Sequence, residues 1–253
     1  MIEPIRKLTG LPPIYVVSIE ESKSRRQNLY SQFEKFSIKD FTFLIYKRFS
    51  EYDWKLTGDH VDKIYVHSYG PTTSHILANK FWTENTDHEY ALIIEDDIDL
   101  SFIKLWNFNW LDLFNSLPED WTCLQLCQMR EQPWTMNFSL RRRRHVDFGA
   151  QIYLIKRSRA EKMVDHYWRD YGFHLTIPPC NVLHDNGDEE WCELFPIVEN
   201  LLFQGGGFGT TYNLPLFAED LANTETTTPD GYYGKFRYDC KDMIAQKITS
   251  YSF

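Results

Sequence analysis

Residues 91–99, Ala-Leu-Ile-Ile-Glu-Asp-Asp-Ile-Asp, constrain this chain most. Four apolar residues stop at Glu95, Asp96 and Asp97, with Asp99 close behind. A short apolar run bounded by polar residues reads as a strand buried on both faces of an α/β sheet. Ligands in such sheets bind at the carboxyl ends of strands. Adjacent carboxylates held there repel one another unless a cation is shared, and an all-oxygen set suits Mg²⁺ or Mn²⁺. A solvated acidic loop would carry the same residues, but the buried strand that aims them favours a site.

The flanking pattern agrees. After Pro12-Pro13, residues 14–19 form a β-branched and aromatic run that predicts a first strand. Leu29, Phe33 and Phe36 recur at helical spacing and predict a helix over 21–36, with Ser22 or Ser24 near its cap; 41–46 predict a second strand. Residues 47–70 are polar and irregular. Pro71 suits a first helical turn, so a helix is expected from there to about Asn85, feeding the strand at 91–94.

Further along, a helix is expected over 104–115, a strand over 122–127 and a long loop over 128–147. A strand at 150–155 and a helix at 157–171 follow. Asp185 and Asn186 are good caps, so 185–193 is expected to open a helix. Beyond Gly205, Gly, Thr and Pro suggest loops closed by a helix near 239–248. Strands alternating with helices give an α/β fold with a largely parallel central sheet.

A chain of 253 residues can bury a sizeable core as a single domain. The formal net charge of −9 argues against nonspecific nucleic-acid binding, which needs Lys and Arg to neutralise phosphates. Arg141 to Arg144, followed by His145, are the local exception; such a run reads as a solvated loop or a contact for an acidic acceptor. Five Cys with no CxxC pair support neither a zinc site nor a disulfide framework, and point to reduced thiols in a cytoplasmic or cytosol-like compartment. No signal-peptide pattern and no run of about 18 apolar residues is visible, so a membrane-bound acceptor would be met peripherally.

Four segments could carry chemistry. Ser18-Ile-Glu-Glu-Ser-Lys-Ser-Arg-Arg26 puts a helix start and two guanidinium forks after the first strand, a combination suited to a diphosphate. Gly70-Pro-Thr-Thr-Ser-His75 offers small hydroxyl residues at an expected helix start, with His75 one turn inside. Glu95-Asp96-Asp97 could hold a divalent ion acting as a Lewis acid on a departing diphosphate. His184-Asp-Asn-Gly-Asp-Glu-Glu-Trp191 is dense in carboxylates, one of which could take a proton from an acceptor hydroxyl. Gly205-Gly-Gly-Phe-Gly209 lacks a strand–turn–helix context and reads as a flexible connection.

In order, these pieces resemble glycosyltransferase family 25, the lipooligosaccharide and collagen galactosyltransferases. Ile14-Tyr-Val-Val-Ser-Ile with Ser24-Arg25-Arg26 resembles that family's opening strand and helix start. Gly70 to Trp82 resembles its Ser-His segment, with Pro71 in place of the usual glutamate and the cysteine absent. Ala91 to Ile98 resembles its hydrophobic-E-D-D-V motif, and Phe148 to Ala160 its G-T-x-G-Y strand and helix.

The resemblance implies a GT-A fold across 1–253, with a Rossmann-like nucleotide and metal half at about 13–127 and an acceptor half at about 128–253. It implies metal-dependent inverting transfer of galactose or glucose from a UDP-sugar to a hydroxyl of a glycan or protein, usually with Mn²⁺. Glu95 and Asp97 would hold metal, with Asp96 near ribose or metal. Ser18, Arg25, Arg26, Ser74 and His75 would face the nucleotide. The base maps onto Asp185 or Asp188, with Asp185 preferred. A catalytically silent binding module and a metal-dependent nucleotidyl or phosphoryl enzyme are the competing readings.

Overall fold

The computed structural model describes residues 4–63, 66–204, 207–222 and 232–251. Strands β1 (Ile14–Ile19), β2 (Phe41–Tyr46), β3 (Tyr90–Glu95), β4 (Ile98–Asp99), β5 (Trp121–Cys127), β6 (Arg141–Arg142), β7 (Ile152–Lys156) and β8 (Thr210–Glu219) build the main sheet. Its order is β2-β1-β3-β7-β5-β8-β4, with β6 also paired to β8. β1 is parallel to β2 and β3, and β8 is parallel to β5. β7 runs antiparallel between β3 and β5. The sheet is thus mixed and largely parallel, and the carboxyl ends of β1, β3, β5 and β8 share one edge.

Strand alternation sends Ile14, Val16, Leu92 and Ile94 to one face, and Tyr15, Val17, Ala91 and Ile93 to the other. Both faces are apolar because helices cover both, which is why β3 reads as a continuous apolar run. Helix α1 (Lys23–Phe36) buries Leu29, Phe33 and Phe36 on the first face. Each such side chain contributes about 1.5–3 kcal/mol as an upper estimate. α2 (Val66–Asn85) and α3 (Arg157–Tyr167) cover the second face through Ile76, Trp82, Met163 and Tyr167. α4 (Tyr232–Lys247) returns to the first face with Cys240 and Ile244. β7 and β8 come from the segment after residue 127 yet lie within the same sheet as β1, β3 and β5, so the sheet does not divide at that position.

Several expectations are corrected. α2 begins before Pro71, which lies inside the helix. The hydroxyls of Thr73 and Ser74 donate back to the carbonyls of Tyr69 and Gly70 one turn earlier (2.7 Å each), the back-bonding open to Thr and Ser inside a helix. The stretch 104–115 is divided between a 3₁₀ segment (Leu100–Leu105) and a short helix (Trp110–Ser116) with an Asn109–Asp112 capping box. Residues 168–169 leave the helix predicted to reach 171, because they pair with Gly172–His174.

The 185–193 segment is not helical. Cys180–Leu183 and Glu189–Cys192 form an antiparallel hairpin whose turn uses Gly187 at φ +92°. Asp185 and Asn186 therefore serve a turn, the other role favoured by their short polar side chains. The region after Gly205 contains the ten-residue strand β8 where loops were expected. Gly205 and Gly206 of the glycine run lie outside the described residues.

Candidate functional site

Tight turns at the shared edge place β3's acidic end against β1 and α1. Ser18, near the end of β1, donates to Asp96 Oδ2 at 2.5 Å. Arg25 Nε pairs with Asp96 Oδ1 at 3.0 Å, and Arg25 Nη1 donates to Asp97 Oδ2 at 3.3 Å. Arg26 Nη1 donates to Ser18 Oγ at 2.8 Å and to the Ile19 carbonyl. Ser22 sits at the N-cap without capping through its side chain; its Oγ instead accepts from Arg25 Nη2 at 2.8 Å. Ser18, Arg25, Arg26, Asp96 and Asp97 thus form one connected group.

Asp96 and Asp97 are buried, whereas the Glu95 side chain is 28% exposed. Burial pushes the Asp96 carboxyl up to about 6, against the opposing pull of Ser18 and Arg25. Asp97 is driven well above the usual carboxylate range, by burial first and then by Glu95 and Glu219. These shifts mark crowded negative charge in a low-dielectric pocket.

Glu219 is the residue that sequence reading missed. It ends β8 on the same edge, accepts from Gln151 Nε2 at 2.5 Å and pairs with Arg237 at 3.0 Å. Burial raises its carboxyl to about 7, with Glu95 adding to the shift and Arg237 opposing it. A signal was present: Leu214-Pro-Leu-Phe-Ala-Glu-Asp220 repeats the apolar-run-then-acid pattern of 91–97. Pro215 hid it, since proline within a run argues against a central strand. β8 accommodates that proline at a register shift between Asn213 and Phe217. The next residue, Asp220, accepts from Asn28 Nδ2 of α1 at 2.7 Å, and its N–H bonds the Asp97 carbonyl. Asp99 is structural: it caps Leu100–Leu105 and pairs with Lys241 at 2.8 Å.

His75 is fully buried. Its Nε2 lies 3.1 Å from Glu95 Oε1 and its Nδ1 lies 3.2 Å from the Tyr153 hydroxyl, so it orients Glu95 from beneath. Ser74 is buried with its hydroxyl committed to Gly70, which corrects its expected nucleotide contact.

Asp185 and Asp188 are corrected as bases. Asp185 accepts from Arg130 Nη1 and Nη2 at 2.9 and 2.8 Å, and from Arg144 at 3.2 Å. The Arg130 hydrogen bonds hold its carboxyl below the ordinary range. A group so stabilised in its charged form is a weak proton acceptor. Asp188 lies in the exposed hairpin turn, bonded to Asn186. The arginine run has partners too: Arg141 and Arg130 converge on buried Asp147 (2.8 and 2.6 Å), Arg142 pairs with Glu189, and Arg143 is buried against Gln125. The Asp147 carbonyl closes this loop onto the sheet, accepting from Gln125 Nε2 of β5 at 3.1 Å and from Arg143 at 2.6 Å.

The donor chemistry fits a hard divalent cation: carboxylate oxygens from the ends of β3 and β8, and from the residues after β3, outnumber the guanidiniums of Arg25 and Arg237 that face them. Among the described residues, these carboxylates do not bring three ligand atoms within 4.8 Å of one another, so a cation would draw them together.

No helix among the described residues is long and apolar enough to cross a membrane. No family model matches the chain, and no curated protein matches it. Among solved structures, A197 from STIV shares 13% identity over 82% of this chain and 84% of its own, with a TM-score of 0.42. A likeness at that level assigns neither a fold family nor an activity.

Proposed function

We propose that the chain is a GT-A-like glycosyltransferase that moves a hexose from a nucleotide sugar, with UDP-galactose or UDP-glucose as the expected donor, to an acceptor hydroxyl. The observation that carries this reading is the joining of Asp96-Asp97 at the end of β3 to Ser18, Arg25 and Arg26 at the end of β1. Diphosphate and sugar recognition needs anion-binding forks beside carboxylates, at the carboxyl edge of a largely parallel sheet.

In this reading Glu95 and Asp97, with Glu219 beside them, hold Mn²⁺ or Mg²⁺. The bound cation supplies Lewis-acid stabilisation of charge on the diphosphate. Arg25 releases Asp96 and Asp97 and turns its guanidinium to the phosphates, while Arg26 and Ser18 fix the β1–α1 turn. His75 keeps Glu95 oriented.

The silent-module alternative has one observation in its favour: Arg25 already spans both aspartates. Donor hydrolysis separates the readings. A UDP-hexose with Mn²⁺ should release UDP, and Asp97→Ala should abolish that release. Release of pyrophosphate or inorganic phosphate would instead indicate a nucleotidyl or phosphoryl enzyme. Binding without turnover across a broad acceptor screen would indicate a module. A thermal-shift panel of nucleotide sugars with and without Mn²⁺ reports donor class directly, since a ligand of the folded state raises its apparent stability.

A further inference from the structure

The Cys180–Leu183/Glu189–Cys192 hairpin brings together side chains whose sequence spacing suggests no metal site. Its register sets Cys180 opposite Cys192 and Val182 opposite Glu190. Strand alternation therefore puts positions 184, 190 and 192 on one face. A histidine nitrogen, a carboxylate oxygen of Glu190 and the Cys192 sulfur lie within 4.8 Å of one another. His184 Nε2 is shielded from solvent and has no hydrogen-bond partner, although Glu190 Oε2 is only 3.3 Å away. A ring nitrogen buried in this way beside a thiol and a carboxylate is arranged as one of three ligands to a common ion.

We propose that His184, Glu190 and Cys192 bind Zn²⁺, with water in the fourth position. The N, S and O donors form a borderline-soft set that favours Zn²⁺ over the Mn²⁺ or Mg²⁺ suited to the carboxylates at the sheet edge. Zn–N of about 2.0 Å and Zn–S of about 2.3 Å put tetrahedral ligand atoms roughly 3.3–3.6 Å apart, so side-chain closure of at most about 1.5 Å completes the site. Binding forms a Zn–S bond at Cys192 and releases the thiol proton to solvent. The ion ties the start of the turn that carries Asp185 to the second strand of the hairpin. This site does not depend on the glycosyltransfer reading.

The test uses full-length protein stripped with a chelator and kept reduced with a phosphine. Co²⁺ titration should give one equivalent of tetrahedral d–d absorption with a thiolate-to-cobalt charge-transfer band, and Zn²⁺ should displace it. Cys192→Ser should remove the charge-transfer band and weaken Zn²⁺ binding by about 100-fold. Cys180→Ser should retain both the band and the affinity. Should Cys192→Ser fail to fold, Glu190→Gln, at a side chain 71% exposed, must still weaken Zn²⁺ binding about tenfold. Wild-type protein without the charge-transfer band, a band that survives Cys192→Ser, or one lost in folded Cys180→Ser overturns the assignment.

Discussion

Asp96→Asn isolates the electrostatic state of the sheet edge. The carboxyl shifts from an ordinary 3.8 to about 6 on folding, because burial outweighs Ser18 and Arg25. A group whose folded pKa is raised contributes stability that is fully present below pH 3.8 and is lost as pH rises through 6. At about 1.4 kcal/mol per pH unit, ionised Asp96 costs the folded state about 3 kcal/mol above pH 6. Asparagine imitates the protonated side chain and can still accept from Ser18. Relative to wild type, the variant should therefore gain about 1.4 kcal/mol more at pH 8 than at pH 5, the part of the loss that falls between pH 5 and pH 6. Urea unfolding in EDTA at both pH values measures this difference. A variant equally destabilised at both would refute the reasoning, since it would mean that Arg25 holds Asp96 ionised and that burial is the lesser effect. Added Mn²⁺ should restore wild-type stability more at pH 8 than at pH 5, and it should do so less in the variant.

Other outcomes follow from the same structure. Asp147→Asn leaves Arg141 without a carboxylate partner and Arg130 with Asp185 alone, and should cost about 3–5 kcal/mol at pH 7 by urea unfolding. Burial pushes Asp147 up, but Arg141, the Arg144 N–H and Arg130 together hold it below 3.8. Its contribution is therefore present above 3.8 and is lost as pH falls below it, so variant and wild type should converge in acid. Gly172→Ala would set a Cβ 2.2 Å from the Lys55 carbonyl oxygen at φ +142°, and should lower Tm by several degrees, from strain of about 1–3 kcal/mol or more. In metal-free native protein a thiol reagent should modify Cys180 and Cys192 first, because Cys123, Cys127 and Cys240 are buried and burial raises their pKa values.

The elements legible in the sequence were those whose local chemistry and tertiary environment agree. β1, β3 and α1 have strong periodicity or unbroken apolar runs, so their pattern survives packing on both faces of the sheet. β8 was obscured because Pro215 signals a break, and only its place between β5 and β4 makes a bulged strand stable there. The 180–192 hairpin was obscured because Asp185 and Asn186 suit a helix cap and a turn equally well. Gly187 at positive φ and the cross-strand register decide between them.

For the site, the sequence by itself determined that Glu95, Asp96 and Asp97 end a buried strand, and that Ser18 lies near the end of another with Arg25 and Arg26 following it. Both facts rest on short-range patterns of apolar and charged residues. The tertiary structure decided which charges meet. It brought Glu219 to the edge from more than a hundred residues away, committed Ser74 to its own helix, and gave Asp185 to Arg130 and Arg144. A carboxylate's pKa, and hence its role, depends on burial and on neighbours distant in sequence, and no local pattern contains either.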